Sequence, residues 1–135
     1  MGTHLIIGGR WMGKRAWAEA VWGPLSPVCD LALAELEDVG EARMVVGLHE
    51  GARVLMQRGE DPVATFMGRM GALRGRVLIG DEVGGGVIPM DPSERAWRDA
   101  VGLLYQALAR EADIVDRVWA GLPHRLKGPP IEAAP

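Results

Sequence analysis

GGRWMGKR, at residues 8–15, is the stretch that decides the fold of this chain. It follows a short apolar run, Thr3–Ile7, and leads into a run of good helix formers. Gly8, Gly13 and Lys14 have the spacing of a P-loop, G-x-x-x-x-G-K-[ST], which needs a strand before it and a helix after it. In such a loop the backbone N–H groups converge on phosphate oxygens at a helix start, where the helix dipole favours anions. The predicted nucleotide-binding residues are Gly8, Gly9, Arg10, Trp11, Met12, Gly13, Lys14 and Arg15.

The last position of this motif differs, because Arg15 stands where a P-loop has serine or threonine. That hydroxyl ordinarily ligates Mg²⁺. Arginine is no metal ligand at neutral pH, but its guanidinium can bind phosphate directly. Lys14 is predicted to be catalytic, as a point charge on the β- and γ-phosphates. The alternative for the loop is an ordinary strand–turn–helix junction with chance glycines.

A second loop, GDEVGGGVIP at residues 80–89, follows another apolar run, Arg76–Ile79. It places two adjacent acids, Asp81 and Glu82, at the end of a predicted strand. Carboxylates there suit a nucleotide's Mg²⁺ or general-base work on a hydroxyl, so we predict both as metal ligands and Glu82 as catalytic. The alternative is a solvated turn in which the glycines serve only the backbone geometry.

Strands alternate with helices along the chain. The predicted strands are Thr3–Ile7, Met44–Val46, Arg76–Ile79 and Ile114–Ala120, and the predicted helices are Gly13–Trp22, Leu48–Arg58, Pro62–Leu73 and Pro92–Ala112. Asp61 and Asp91 are predicted N-caps, with Glu94 completing a capping box at the second. Cys29–Leu36 is open between strand and helix. The alternation predicts an α/β fold of the P-loop NTPase type, with a mostly parallel sheet flanked by helices and ligands at the carboxyl ends of the strands.

The composition is that of one globular domain: 135 residues, of which 48% are hydrophobic and 24% charged. A net charge of −3 argues against nucleic acid or an anionic membrane as a partner. No apolar run approaches the ~20 residues of a membrane span. The sole cysteine, Cys29, excludes an internal disulfide and suits a reducing compartment. We therefore expect a cytoplasmic protein with a single domain over residues 1–128 and a flexible tail over residues 129–135.

Four stretches together resemble the adenosylcobinamide kinase/adenosylcobinamide-phosphate guanylyltransferase family of cobalamin synthesis. The family's G-G-A-R-S-G-K-S compares with residues 8–15, and its N-E-V-G-x-G-I-V-P with DEVGGGVIP at residues 81–89. Its R-x-F-R-D-x-x-G-x-x-N-Q is matched by Arg95, Trp97 (for Phe), Arg98, Asp99, Gly102, Tyr105 (for Asn) and Gln106. Its A-D-E-V-W-x-V-x-x-G-x-P-x-x-L-K is echoed by Ala112, Asp113, Ile114, Val115, Gly121, Pro123, Leu126 and Lys127. The resemblance covers residues 3–22 and about 75–128.

The resemblance implies a P-loop α/β fold that binds GTP or ATP, with Mg²⁺, and a homo-oligomer. It also implies phosphorylation and then guanylylation of a side-chain hydroxyl on a corrinoid, cobinamide. On this basis the predicted substrate-binding residues are Gly84, Gly85, Arg95 and Arg98.

This chain departs from the family pattern at Arg15 and at Asp81, which replaces asparagine, and its middle is much shortened. The segment that carries the family's guanylylated histidine has no recognisable counterpart between Trp22 and Met44. His49 follows a predicted strand end and precedes Glu50, so it is a candidate substitute nucleophile. A plain histidine at a helix start is the alternative.

The remaining aromatic and histidine residues give weaker indications. Trp11 is a candidate for stacking on a base or a corrin edge, whereas Trp17, Trp22 and Trp119 are predicted to lie in the core. His4 is predicted to belong to no functional constellation.

The leading hypothesis is a shortened adenosylcobinamide kinase-like transferase in which guanylylation is doubtful. The alternative is a catalytically lapsed nucleotide- or anion-binding protein of the same fold, acting as a sensor or assembly partner. Arg15 and the missing histidine segment favour the alternative. The block at residues 81–106 favours the enzyme.

Overall fold

A computed structural model describes residues 2–84 and 91–132 of the chain. The strands are β1 (His4–Gly8), β2 (Val28–Asp30), β3 (Met44–Val46), β4 (Val77–Asp81), β5 (Ile114–Trp119) and β6 (Leu122–Lys127). The helices are α1 (Lys14–Trp22), α2 (Leu48–Gln57), α3 (Pro62–Gly68), α4 (Met70–Leu73) and α5 (Pro92–Glu111), with a 3-10 turn at Leu36–Val39. Gly85 and the rest of the second glycine-rich loop, to residue 89, lie outside the described residues.

Within the described ranges the strands form one sheet in the order β2-β3-β4-β1-β5-β6. β1 pairs in parallel with both β4 and β5, and β2, β3 and β4 are also parallel. Among the strand pairs in the described residues, only β5–β6 is antiparallel. The predicted α/β class with a mostly parallel sheet flanked by helices is therefore confirmed. Because parallel strands share a direction, the carboxyl ends of β1 to β5 meet at one edge of the sheet.

Helices cover both faces of this sheet, since the alternate side chains of its central strands point to opposite sides. On one face, α1 packs over a cluster that includes Ile6, Ala18 and Val118. On the other face, α2, α3 and α5 pack over a larger cluster that includes Leu5 and Leu78. β1 is thus buried on both faces, which explains its unbroken apolar sequence.

Most predicted elements are present with shifts of one or two residues at their ends. The ambiguous segment around Cys29 forms the edge strand β2. The predicted helix over 62–73 divides at Arg69, although Asp61 caps α3 as expected, accepting the Val63 N–H. Asp91 caps α5. The Glu94 carboxylate, however, pairs with the Arg53 guanidinium at 3.1 Å, so its predicted capping role is replaced by a contact between α5 and α2.

The hairpin β5–β6 was not expected from the sequence. Its turn residues Ala120 and Gly121 both have positive φ, 50° and 77°, which is the geometry of a tight two-residue hairpin turn. Trp119, predicted to be a core residue, lies next to this turn with 58% of its surface exposed, and that prediction is wrong. Trp17 and Trp22 pack against the core under α1, as predicted.

In the ranges the structure describes, no helix has both the length and the apolar character required to cross a bilayer.

Candidate functional site

The loops at the carboxyl edge of the sheet surround an open cleft with a volume of about 840 Å³. Four strand ends contribute to it: the β1–α1 loop, Asp30 at the end of β2, Gly47 after β3 and Asp81 at the end of β4. The whole span Arg10–Arg15 lines this cleft. The fold therefore brings the first predicted loop together with Asp81–Val83, the start of the second, as expected for a ligand site in an open α/β sheet.

The structure explains two glycines of the first loop, one by the lack of space for a side chain and one by its backbone conformation. A Cβ atom at Gly8 would lie 2.4 Å from the carbonyl oxygen of Val118, so only glycine fits there. Gly13 caps α1 with φ +95°, a left-handed conformation that other residues rarely adopt. Gly13 also packs against Gly121, while the Gly121 N–H donates to the Met12 carbonyl at 2.8 Å. The hairpin turn thus supports the loop from outside.

Lys14 turns back into the loop and is almost completely buried, with 7% of its surface exposed. Its Nζ donates to the Gly9 carbonyl oxygen at 2.7 Å and lies 2.9 Å from Oδ1 of Asp81. The Lys14 ammonium is thus held at the cleft by one backbone oxygen and one carboxylate, and its role toward a ligand stays a prediction.

Asp81 is fixed through its backbone as well as its side chain. Its N–H donates to Nδ1 of His49 at 3.1 Å, and its carbonyl accepts the Tyr105 hydroxyl at 2.6 Å. Tyr105 lies so close to β4 that a Cβ atom at Gly80 would come within 2.2 Å of its hydroxyl oxygen. Burial raises the pKa of Tyr105 far above its usual range, so the hydroxyl stays a donor. Asp81 and Tyr105 both stand where the family pattern has asparagine, and the structure shows that they contact each other.

His49 lies in the cleft, and its hydrogen bonds define its tautomer. Because Nδ1 accepts the Asp81 N–H, Nε2 carries the proton of the neutral ring. Nε2 lies 3.5 Å from Oδ2 of Asp81 and 3.6 Å from Oε1 of Glu50. Burial lowers the pKa of His49, against the opposing effect of the two carboxylates, and so favours the neutral form. In this arrangement Nε2 is a donor, and the ring lacks the free nitrogen that a nucleophile requires.

The contact between α5 and α2 positions His49. The Trp97 indole N–H donates to the His49 carbonyl oxygen at 2.8 Å, and the Arg53 guanidinium lies 3.7 Å from the centre of the Trp97 ring. With the ion pair between Arg53 and Glu94, these contacts hold the first turn of α2 at the cleft.

Glu82 also lines the cleft, but its carboxylate is engaged. Arg117 donates to it twice, from Nε at 2.5 Å and from Nη2 at 3.0 Å. Asp81 is paired with Lys14. Across residues 2–84 and 91–132 no cluster of three or more His, Cys, Asp or Glu side chains is arranged to hold a metal. A metal role for Asp81 and Glu82 stays a prediction that requires both ion pairs to open.

Some of the remaining predicted site residues line the cleft, and others lie outside its described lining. Arg15 is exposed and lines the cleft. Trp11 is 87% exposed with φ +64°, and the Arg10 guanidinium lies 5.3 Å from its ring centre. Gly84 is exposed just after β4. Arg95 and Arg98 lie in the first two turns of α5 and outside the described lining of the cleft, so their substrate role stays a prediction.

Sequence reasoning missed a polar network beneath α1 that includes His4. The contacts of this network are structural, so the absence of His4 from any functional constellation stays a prediction. His4 and Asp116 are both fully buried, and His4 Nε2 lies 2.8 Å from Oδ2 of Asp116. The Trp22 indole N–H donates to His4 Nδ1 at 2.9 Å, so both ring nitrogens of His4 have a hydrogen-bond partner. Asp116 also accepts from Trp17 at 2.8 Å and from Arg125 at 2.6 and 3.0 Å. No local signal marks this network, because His4 and Asp116 are 112 residues apart.

Fold and cleft together define a P-loop-like α/β protein. Residues 56–126, just over half of the chain, match the sequence model of the cobinamide kinase/cobinamide phosphate guanyltransferase family, CobU. The chain therefore belongs to this family, and the resemblance drawn from its motifs is confirmed.

A curated relative gives a second comparison. Over 63 residues the chain is 41% identical to the bifunctional adenosylcobalamin biosynthesis protein CobP of Pseudomonas aeruginosa. The aligned part is 46% of this chain and 36% of that protein, so the chain spans little more than a third of its relative. The family match begins at residue 56, so it does not include the loop at residues 8–15.

Proposed function

We propose that this chain binds a nucleoside triphosphate on the loop Gly8–Arg15 and transfers its terminal phosphoryl group to a hydroxyl of a cobinamide-type corrinoid. The observation that carries the proposal is the Lys14 ammonium, buried in a glycine loop and bordering a cleft of about 840 Å³. Membership of the CobU family, described as cobinamide kinase/cobinamide phosphate guanyltransferase, supports this reaction class and a corrinoid substrate.

Phosphoryl transfer requires mainly positioning and charge neutralisation from the protein. Lys14 and Arg15 would neutralise the phosphates, and the start of α1 adds its dipole. Carboxylate oxygens are the ligands that Mg²⁺ prefers, and Glu82 or Asp81 would offer them once Arg117 or Lys14 shifts to the phosphates. A Mg²⁺ held by these carboxylates would supply further neutralisation of the phosphate charge. Trp11, exposed at the rim, offers a flat surface for a base or a corrin edge.

Two observations favour a second candidate, a lapsed nucleotide- or anion-binding protein. Arg15 occupies the position of the metal-binding hydroxyl, and Glu82 is held by Arg117 at 2.5 Å. Such a protein would keep the phosphate loop without efficient transfer and would act as a sensor or as a partner in an assembly.

Calorimetric titration with GTP and with ATP, with and without Mg²⁺, tests the shared first step. Lys14→Ala should weaken nucleotide affinity by at least about tenfold, because it removes a charge-assisted contact. Lys127→Ala is the matched control, since the Lys127 ammonium donates to the carbonyls of Ala109 and Arg110 at the end of α5. Equal affinity in the wild type and Lys14→Ala would refute the loop assignment.

A mass-spectrometric assay separates the two candidates. Incubation with adenosylcobinamide, nucleotide and Mg²⁺ should yield a phosphorylated corrinoid if the chain is an active transferase. Nucleotide binding without product supports the lapsed protein instead.

A further inference from the structure

An ion pair joins Lys14, in the loop that is proposed to bind phosphate, to Asp81 at the end of β4. Nζ of Lys14 is 2.9 Å from Oδ1 of Asp81, and the Asp81 side chain is 25% exposed to the cleft. An ammonium buried without a counter-charge is strongly unfavourable. In the phosphate-free loop, the Asp81 carboxylate therefore takes the place that a phosphate oxygen would take beside Lys14.

The backbone of Asp81 is held at this position independently of Lys14. The Asp81 N–H is fixed by Nδ1 of His49 at 3.1 Å, and its carbonyl oxygen by the Tyr105 hydroxyl at 2.6 Å. Tyr105 in turn packs directly against Gly80. When an anion reaches the loop, the Asp81 backbone has little freedom to carry the charge away.

We propose that Asp81 is a built-in counter-ion that competes with phosphate for Lys14 and thereby lowers the affinity of the loop for metal-free phosphate groups. This inference rests on the proposed function, because it assumes that phosphate binds at Gly8–Arg15. A bound phosphate has to share the N–H donors of Lys14 with Asp81 and also faces its negative charge. Charges at such short range in a partly buried site are screened far less than at an open surface.

Neutral variants at position 81 test the competition. Asp81→Asn keeps the size of the side chain and removes its charge, so it should bind GTP and inorganic tripolyphosphate about tenfold more tightly in EDTA, by calorimetry. Asp81→Ser, also uncharged but smaller, should show the same direction. Asp81→Glu keeps the charge and is the matched control, for which no tightening is expected. Thermal melting of each variant checks that it is folded. If one neutral variant does not fold, the other, whose side chain has a different shape, still provides the test.

A double-mutant cycle tests whether Asp81 acts through Lys14. In a Lys14→Ala background, Asp81→Asn should tighten tripolyphosphate binding by less than about threefold, because the contested ammonium is gone. Tightening that persists at its full size there would indicate general repulsion and overturn the competition.

The outcomes separate this inference from the proposed function. If neither the wild type nor any neutral variant binds GTP or tripolyphosphate, the proposed function fails and the inference fails with it. If the wild type binds but both neutral variants bind no more tightly in EDTA, the inference alone is wrong. A weakening in Mg²⁺ without tightening in EDTA also overturns it and makes Asp81 a metal ligand. If the neutral variants bind GTP or tripolyphosphate in EDTA and the wild type does not, the inference is supported.

Discussion

Two charge clusters, one closed beneath α1 and one open at the cleft, differ in how completely their polar groups are satisfied within the protein. Beneath α1, Asp116 is fully buried, and its oxygens accept from Trp17, His4 and Arg125. At the cleft, Asp81 is 25% exposed and lies against Lys14. The first cluster is saturated with donors and closed to solvent, whereas the second opens onto a space of about 840 Å³. A saturated cluster holds elements together, and an open one is available to exchange a partner for a ligand.

The largest effect is expected from breaking the closed cluster. Asp116→Ala should reduce the free energy of unfolding by about 3–5 kcal/mol, since it leaves the largely buried Arg125 without its counter-charge. Chemical denaturation monitored by tryptophan fluorescence measures this, with the exposed Asp99→Ala as control, for which a change within about 0.5 kcal/mol is expected. An equal, small effect for both variants would show that the network contributes little.

The Asp116 carboxylate also predicts how the stability of the folded protein changes with pH. Burial by itself raises the pKa of Asp116, but the hydrogen bonds that it accepts outweigh burial and hold the pKa well below its usual range. A lowered folded-state pKa means that this stabilisation is present above the unfolded-state pKa, 3.8, and is lost as the pH falls below it. The wild type should therefore lose more stability between pH 5 and pH 3 than Asp116→Ala does.

A smaller effect is expected from Arg15 at the open cluster. Because an arginine binds phosphate without a metal, nucleotide affinity should depend only weakly on Mg²⁺. Arg15→Ser restores a metal-binding hydroxyl and should raise the ratio of affinities with and without Mg²⁺ several-fold, by calorimetry. If the wild type already binds nucleotide only with Mg²⁺, Arg15 points away from the phosphates and this explanation fails.

The smallest expected change concerns His49. Its Nε2 is protonated because Nδ1 accepts from the Asp81 backbone, so incubation with GTP and Mg²⁺ should give no covalent GMP adduct by intact mass. An adduct that disappears in His49→Ala would contradict this and make His49 the nucleophile.

Features set by residues close together in the sequence could be predicted from it, whereas contacts between residues far apart in the sequence could not. The strand–loop–helix unit around residues 8–15, the caps Asp61 and Asp91 and the central strands are set by neighbours along the chain, and these elements were predicted correctly. Phosphate binding by that loop stays a prediction. The closed cluster joins residues 112 positions apart, and no periodicity reveals such a pair. The β5–β6 hairpin did carry a local signal, since glycine at 121 permits the tight turn, but Ala120 at φ 50° is an unusual partner for it.

The central place of β1 also has a consequence for the order in which the molecule can assemble. β1 pairs with β4 and β5, whose residues come more than 70 positions later in the chain. Gly13 further rests against Gly121, so the loop lacks its support until the β5–β6 turn has formed. Contacts of such long range slow folding, because a large loop must close before they can stabilise it. During synthesis, the loop at residues 8–15 therefore leaves the ribosome before β4, β5 and β6 do, and it gains its final shape only after these strands have joined the sheet.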